Sequence, residues 1–583
     1  MDINSLFKTT GNSSISKRKL GTLSDSKILK HFHHDSGSLE DFEIGGPASK
    51  KKKTSIEDEE ENETFYADGL TDQQRQIYEI IDQVEDEPNT IDINSFKKMI
   101  LKFEKVLSKN QQLRMKYADD PLKFMDSEAD LDEEIKRMMS ASTTPQFYPK
   151  LVELETVKSI LSLLTHENTD ISIACIDLIN ELTDEDVLGE IDEEGEAGLK
   201  ALVNDMVDKQ AFELLVANLN RLKESQDEDR QGVFNTLSIF ENFISIEPKL
   251  AEVLVEKTEI LKWIIDRISQ KEFDSNKQYC SEILAILLQN SSANRIKFCE
   301  LNGVICLLKS LSVYKRRDPE DNEEIEMMEN FFDALCSALI ENKVKESFLK
   351  DEGIELMLLM IKEKNMSRMR AIKVLDYALT GDTSIYCEYF IEVHGLKSLF
   401  AAFMGKGVKK MKKHYSKQYS ESEEIEHCIS IISWLFKKVN TMKYLERLVS
   451  KFVEDDFEKI ARIIELYLQY KEKVEKEEKE IEKESEEIIQ EYGEIDEETE
   501  DMFYLRRLDS GLLTYQLISH IIGHLCIFKE IPIKERIVML LNRNKLKLKD
   551  VKAVIIDYRD NLGDTKDSDI IEKEEINKIL ELM

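Results

Sequence analysis

The chain has 583 residues and a mass of 67.8 kDa, too long for one compact core, so several domains or a repeat array must carry it. Only 8 Pro and 20 Gly interrupt it, which excludes an all-β sandwich or barrel with a turn every 8–12 residues or so. Acidic residues outnumber basic ones by 117 to 81, and the resulting net charge of −36 argues against nonspecific duplex DNA binding by the body and makes a basic peptide its natural partner.

A hydrophobic content of 41% is ample for a buried core. No apolar run approaches the ~20 residues that span a bilayer, so no membrane association is expected. The opening MDINSLFKTTGNSS lacks the charged start and apolar centre of a signal peptide. The eight cysteines are scattered without a CxxC pair, as reduced, buried thiols in a cytosolic or nuclear protein would be.

In chain order, residues 1–70 are expected to be a disordered tail, rich in Ser, Gly, Asp and Lys without a sustained apolar period. The tail holds 10 basic and 13 acidic residues, which leaves about −33 on the body. Its basic residues cluster at Lys17, Arg18 and Lys19 and at Lys50, Lys51, Lys52 and Lys53, and short basic runs in a mobile tail suit nuclear import. Residues 71–140 read as a helical cap, with SFKKMILKFEKVLSKNQQLRMK and a following acidic helix as its pair.

Residues 141–470 carry an internal repeat. RIKFCELNGVICLLKSL, KESFLKDEGIELMLLMI and CEYFIEVHGLKSLFAAF align on Gly303, Gly353 and Gly395. Each has a Phe five residues earlier (Phe298, Phe348, Phe390) and an apolar pair four and five residues later. Weaker copies place Thr156, Ala211 and Ile260 at the glycine position, with Leu151, Met206 and Val255 in the Phe place. A second amphipathic helix follows each copy, at 170–183, 232–244, 277–290, 328–340 and 368–381. The unit is therefore a short helix, a Gly turn, a helix, a loop and a longer helix, with Gly expected to supply a left-handed backbone at the turn. One unit cannot bury its stripe alone, so the units must stack. A period of 42–55 residues fits armadillo or HEAT arrays with insertions. The predicted fold is all-α: a right-handed armadillo-repeat superhelical solenoid of about six units with helical caps.

Two insertions stand out, an acidic one at 184–197 and a lysine-rich one at 401–420. Residues 471–502 form an acidic segment, with fifteen acids and five Lys in 471–500, expected as a solvated helix rather than a coiled coil. Residues 503–583 read as a final repeat and helical cap.

ADDPLKFMDSEADLDEEI (118–135), EMMENFFDALCSAL (326–339), SRMRAIKVLDYAL (367–379) and FYLRRLDSGL (503–512) resemble the beta-catenin-like family of nuclear armadillo proteins, and the likeness extends over about 65–583. The resemblance implies a nuclear, non-enzymatic scaffold associated with the spliceosome's nineteen complex and with pre-mRNA splicing. It implies partners that are spliceosomal proteins, a Myb-domain splicing factor among them, held through basic, import-signal-like peptides. It also implies self-association of the armadillo body, so a homodimer.

Catalytic signals are absent from the sequence: there is no GxxxxGK[ST] and no GxGxxG. His520 and His524 have the four-residue spacing of a metal pair, but Ile521 stands where a zinc protease needs Glu, so structural histidines are expected and no cofactor or metal is assigned. In a scaffold the last helix of each unit would line the groove. Its polar residues Asp177, Asn180, Glu181, Asn235, Glu241, Glu282, Glu329, Asp333 and Asp376 are the groove candidates, with carboxylates for Lys and Arg and Asn for peptide backbone. An import-receptor groove would need repeated Trp and Asn, whereas the chain has two Trp, Trp263 and Trp434. The alternative is RNA contact through the six lysines of Lys406–Lys417, disfavoured by the lack of Arg there and by only two tyrosines, Tyr415 and Tyr419, for base stacking.

Overall fold

A computed structural model describes residues 91–184, 192–381, 383–528, 532–563 and 567–583. The chain divides into two units, 1–90 and 91–583, and the tail with its Lys and Arg clusters lies outside the described residues. Among the described residues every regular element is a helix.

The array opens with α1 (Ile93–Lys116) and α2 (Met125–Met138), the expected cap pair. Asp92 caps α1 by accepting from the Ser95 amide at 2.7 Å, and Phe96, Ile100, Phe103 and Leu107 line its buried stripe. Triplets follow. The first is α3 (Pro149–Glu153), α4 (Thr156–Leu163) and α5 (Thr169–Thr183). The second is α6 (Glu193–Asp208), α7 (Ala211–Leu219) and α8 (Asp227–Ile246). The third is α9 (Leu250–Lys257), α10 (Ile260–Ile268) and α11 (Ser275–Gln289). The fourth is α12 (Ser292–Glu300), α13 (Gly303–Leu311) and α14 (Asn322–Ala338). The fifth is α15 (Asn342–Lys350), α16 (Gly353–Glu363) and α17 (Arg368–Leu379). The sixth is α18 (Ile385–Glu392), α19 (Gly395–Phe403) and, after the short α20 (Val408–His414), α21 (Glu421–Lys438). These stack into an all-α armadillo solenoid. Each third helix packs on the next, so α5, α8, α11, α14, α17 and α21 form one row over a core running continuously through all the units.

The repeat turn differs from expectation in its mechanism. The six aligned positions all become the first residue of a second helix. The left-handed residue is the one before: Glu155, Gln210, Asn302, Glu352 and His394 have φ between 59° and 67°, while Glu259 does not. Glycine serves a different end. A Cβ on Gly303, Gly353 or Gly395 would lie within 2.1–2.5 Å of the Phe298, Phe348 or Phe390 ring, respectively. The Phe lies flat on the turn and the glycine makes room for it. Where the chain has Leu, Met or Val instead of Phe, the partner position carries a Cβ.

Beyond the sixth unit, α22 (Met442–Tyr492) is interrupted at Glu454–Phe457, where Asp455, Asp456 and Phe457 all take left-handed φ. It then runs through the acidic segment as helix. Arg506 and Arg507 of α23 (Glu497–Asp509) reach back to it, Arg506 onto Glu477 at 2.9 Å and onto Glu484, Arg507 onto Glu478 at 2.7 Å. The segment is thus pinned as well as solvated, and Ile481 is buried. α24 (Leu512–Cys526) extends the row by packing on α21, and α25 (Ile533–Arg543), α26 (Leu548–Asn561) and α27 (Asp567–Leu582) close the end.

Candidate functional site

Four of the six third helices begin at side-chain caps, which helps to fix their register. Asn168, Asp274, Asp321 and Ser420 each accept from a backbone amide two or three residues into α5, α11, α14 and α21. Held this way, the row presents a ladder of polar contacts from one unit to the next. Asn235 of α8 donates to Asp177 of α5 at 2.6 Å, and Tyr279 of α11 donates to Glu241 of α8 at 2.6 Å. Asn330 of α14 donates to Ser281 of α11 at 3.2 Å. Arg370 and Lys373 of α17 pair with Glu329 and Asp333 of α14 at 3.1 and 2.9 Å. His427 of α21 meets Asp376 of α17 at 2.9 Å, and Tyr470 of α22 donates to Glu426 of α21 at 2.9 Å.

The structure brings all nine candidate residues onto this row, but it divides them by charge balance. In the first half the hydrogen-bond partners of Asp177, Asn180, Glu181 and Glu241 are neutral. Asp177 meets Asn235, Asn180 accepts from Asn242 at 3.5 Å, Glu181 accepts from Ser142 at 3.3 Å, and Glu241 accepts from Tyr279. Glu282 is half-buried on α11. Such bonds orient a carboxylate without cancelling its charge. Burial raises the Asp177 carboxyl above its usual range, and the Asn235 bond and the more distant Lys136 offset this only in part.

In the second half the acids are already matched by cations. Burial alone would lower the Lys373 ammonium, yet neighbouring Asp333 leaves it raised, and Arg370 is raised in the same way between Glu329 and Glu423. Asp376 is 1% exposed and faces His427. As a direct peptide contact it is therefore corrected to an internal strut, and Glu329 and Asp333 are corrected from open acids to members of ion pairs. Sequence reading missed Arg370 and Lys373. They stand 41 and 40 residues after their partners, one repeat on, so laying charge signs side by side between successive third helices would have found them.

The lysine-rich insertion is ordered onto the body. Tyr415 is buried and donates to Asp318 at 2.7 Å, and Tyr419 is half-buried, so neither ring is a free stacking platform. His520 is buried and His524 half-buried on α24, with ring centroids 5.0 Å apart. Burial holds His520 well below the usual histidine range and brings His524 to about 3, so both are neutral core residues. Of the cysteines, all but the half-buried Cys299 are buried, and burial raises every thiol.

A stack of three-helix units with its polar ladder on the third helices defines an armadillo-repeat protein. Residues 75–556 match the family described as "Catenin-beta-like, Arm-motif containing nuclear". The chain belongs to this family. It is 42% identical over 495 residues to beta-catenin-like protein 1 of Homo sapiens and of Mus musculus, covering 85% of this chain and 86% of either relative. It is 35% identical over 525 residues to the beta-catenin-like protein 1 homolog of Schizosaccharomyces pombe, covering 89% of this chain and 87% of that one.

Proposed function

We propose that the protein is a nuclear scaffold of the pre-mRNA splicing machinery that holds basic, import-signal-like peptides of splicing factors along its third-helix row. A Myb-domain factor of the nineteen complex is the partner the family resemblance suggests. The observation that supports the reading is the half of the row whose acids stand in no ion pair: Asp177, Glu181 and Glu241 are oriented by Asn, Ser and Tyr, which leaves them open to a Lys or Arg from outside. The docking centre falls on α5, α8 and α11 rather than on α14 and α17, whose acids are matched.

The test is fluorescence anisotropy with a labelled Lys/Arg-rich peptide. Affinity is expected to fall as salt rises, since exposed charges are screened within ~10 Å at 0.1 M. Glu181→Lys with Glu241→Lys is expected to weaken binding by about tenfold or more. Glu482→Lys with Glu486→Lys, on the exposed end of α22, changes net charge equally and is expected to have a smaller effect. Equal losses from both pairs would mean long-range attraction by the whole acidic body and would remove the groove assignment.

A further inference from the structure

On a chain this acidic, the second helices carry a feature of opposite sign. Between α16 and α19 lies a cleft of about 550 Å³, within the size range of built ligand pockets. Lys362 and Lys364 come from the end of α16, Lys397 from α19, and Lys406 from the loop before α20. Among the described residues no carboxylate closes an ion pair with any of the four, although other surface lysines, such as Lys343 and Lys412, have such partners. The single carboxylate on the lining, Glu355, is engaged by the Tyr389 hydroxyl.

The cleft is a fixed part of the fold. Arg368, 1% exposed at its floor, pairs with Glu424 and also donates to the Lys406 carbonyl at 2.9 Å. Gly407 permits that approach: its φ is +111°, and a Cβ there would lie 2.6 Å from the Arg368 guanidinium. Lys410 donates to the Lys364 carbonyl at 3.2 Å and ties the insertion to the end of α16. The walls between the lysines are apolar. Leu358, Val393 and Ala401 contribute, and Leu359 is left 47% exposed.

We propose that this cleft is a docking site for an acidic peptide with apolar anchors, supplied by another protein and distinct from the third-helix row. Four unpaired ammonium groups around an apolar wall suit carboxylates that flank leucine-type side chains. The same lysines would attract a nucleic-acid backbone too, but the lining offers a single aromatic ring, the His394 imidazole, which Arg447 already contacts at 3.3 Å, so successive bases would find no stacking platform, and the exposed leucine would gain nothing from a phosphate chain.

The full chain is titrated against a fluorescein-labelled twelve-residue peptide of Asp and Glu carrying two Leu four positions apart, with a Leu→Ser version as the second probe. Lys362→Glu with Lys397→Glu is expected to weaken the leucine peptide by about tenfold or more, and Leu359→Asp by a comparable factor. All three residues are exposed or on the rim, and unchanged melting temperatures will show that the variants fold. Binding of the basic peptide by these variants is expected to be retained, which separates this site from the row. Equal binding of the Leu→Ser peptide would overturn the proposal in favour of charge attraction alone. Displacement of the leucine peptide by oligouridylate at equal concentration, with the same sensitivity to the lysine reversals, would overturn it in favour of RNA. Unchanged binding by the variants would also overturn it.

Discussion

A methyl group at Gly353 would meet the Phe348 ring at 2.4 Å, and this one distance explains why the repeat shows Gly where it shows Phe. Gly353→Ala is expected to destabilise the protein by about 1–3 kcal/mol through overpacking. Phe348→Leu added to Gly353→Ala will recover part of that loss, because the first unit already pairs Leu151 with Thr156. Chemical denaturation of the two variants checks this, and no recovery would mean that the turn is fixed by something other than the ring. Asp177 gives the second test at this scale. Its carboxyl is raised by burial, so its charged form is the less favoured one in the folded state. That contribution to stability is present at low pH and is lost as pH rises through the raised value. Asp177→Asn keeps an acceptor for Asn235. It is expected to leave the melting temperature at pH 7 unchanged or higher while weakening the basic peptide. Loss of both stability and binding would make Asp177 merely structural.

Helices were legible in the sequence to within a few residues wherever apolar spacing and a polar cap agreed, as at α5, which was expected to begin at Asp170 and begins at Thr169. The ladder was not legible, because it is made between units: nothing local to Asp333 announces Lys373 forty residues on. The left-handed turn was legible in kind but was placed one residue late, since an exposed residue such as Glu352 tolerates positive φ while the Phe ring claims the space above Gly353. α24 carries the pH consequence at this scale. Its two histidines, one buried and one half-buried, are neutral in the fold, whereas in the unfolded chain each takes a proton near pH 6.5. A lowered folded value means stability that is present above about 6.5 and lost as pH falls towards the folded value, about 3 for His524. Each histidine contributes a slope of about 1.4 kcal/mol per pH unit in that window. His524→Phe is expected to flatten the acid limb of a melting-temperature profile between pH 6 and 4, and an unchanged limb would assign it to the buried carboxylates instead.

For the whole molecule, charge is distributed with a purpose that composition alone hides. The body is acidic on balance, yet Arg370 and Lys373 neutralise acids within the row and four lysines surround the cleft beside Arg368. The tail, outside the described residues, is proposed to direct nuclear import. Replacement of Lys17, Arg18, Lys19 and Lys50–Lys53 by Ala is expected to abolish nuclear accumulation of a tagged protein, scored by imaging. Retained accumulation would place the signal elsewhere or on a bound partner.

The stacking of each third helix on its immediate neighbour has a consequence for synthesis. A triplet can settle on the previous one as soon as it leaves the ribosome, without waiting for distant sequence, and N-terminal parts generally fold first. The end of the array is the exception. Lys437 of α21 is buried against Glu572 of α27, 135 residues later, and Tyr558 of α26 donates to the same carboxylate at 2.9 Å. Until those residues emerge, α21 has an ammonium group with no counter-charge and an uncovered face. The nascent chain therefore has one long interval, late in translation, in which a chaperone would have something to hold.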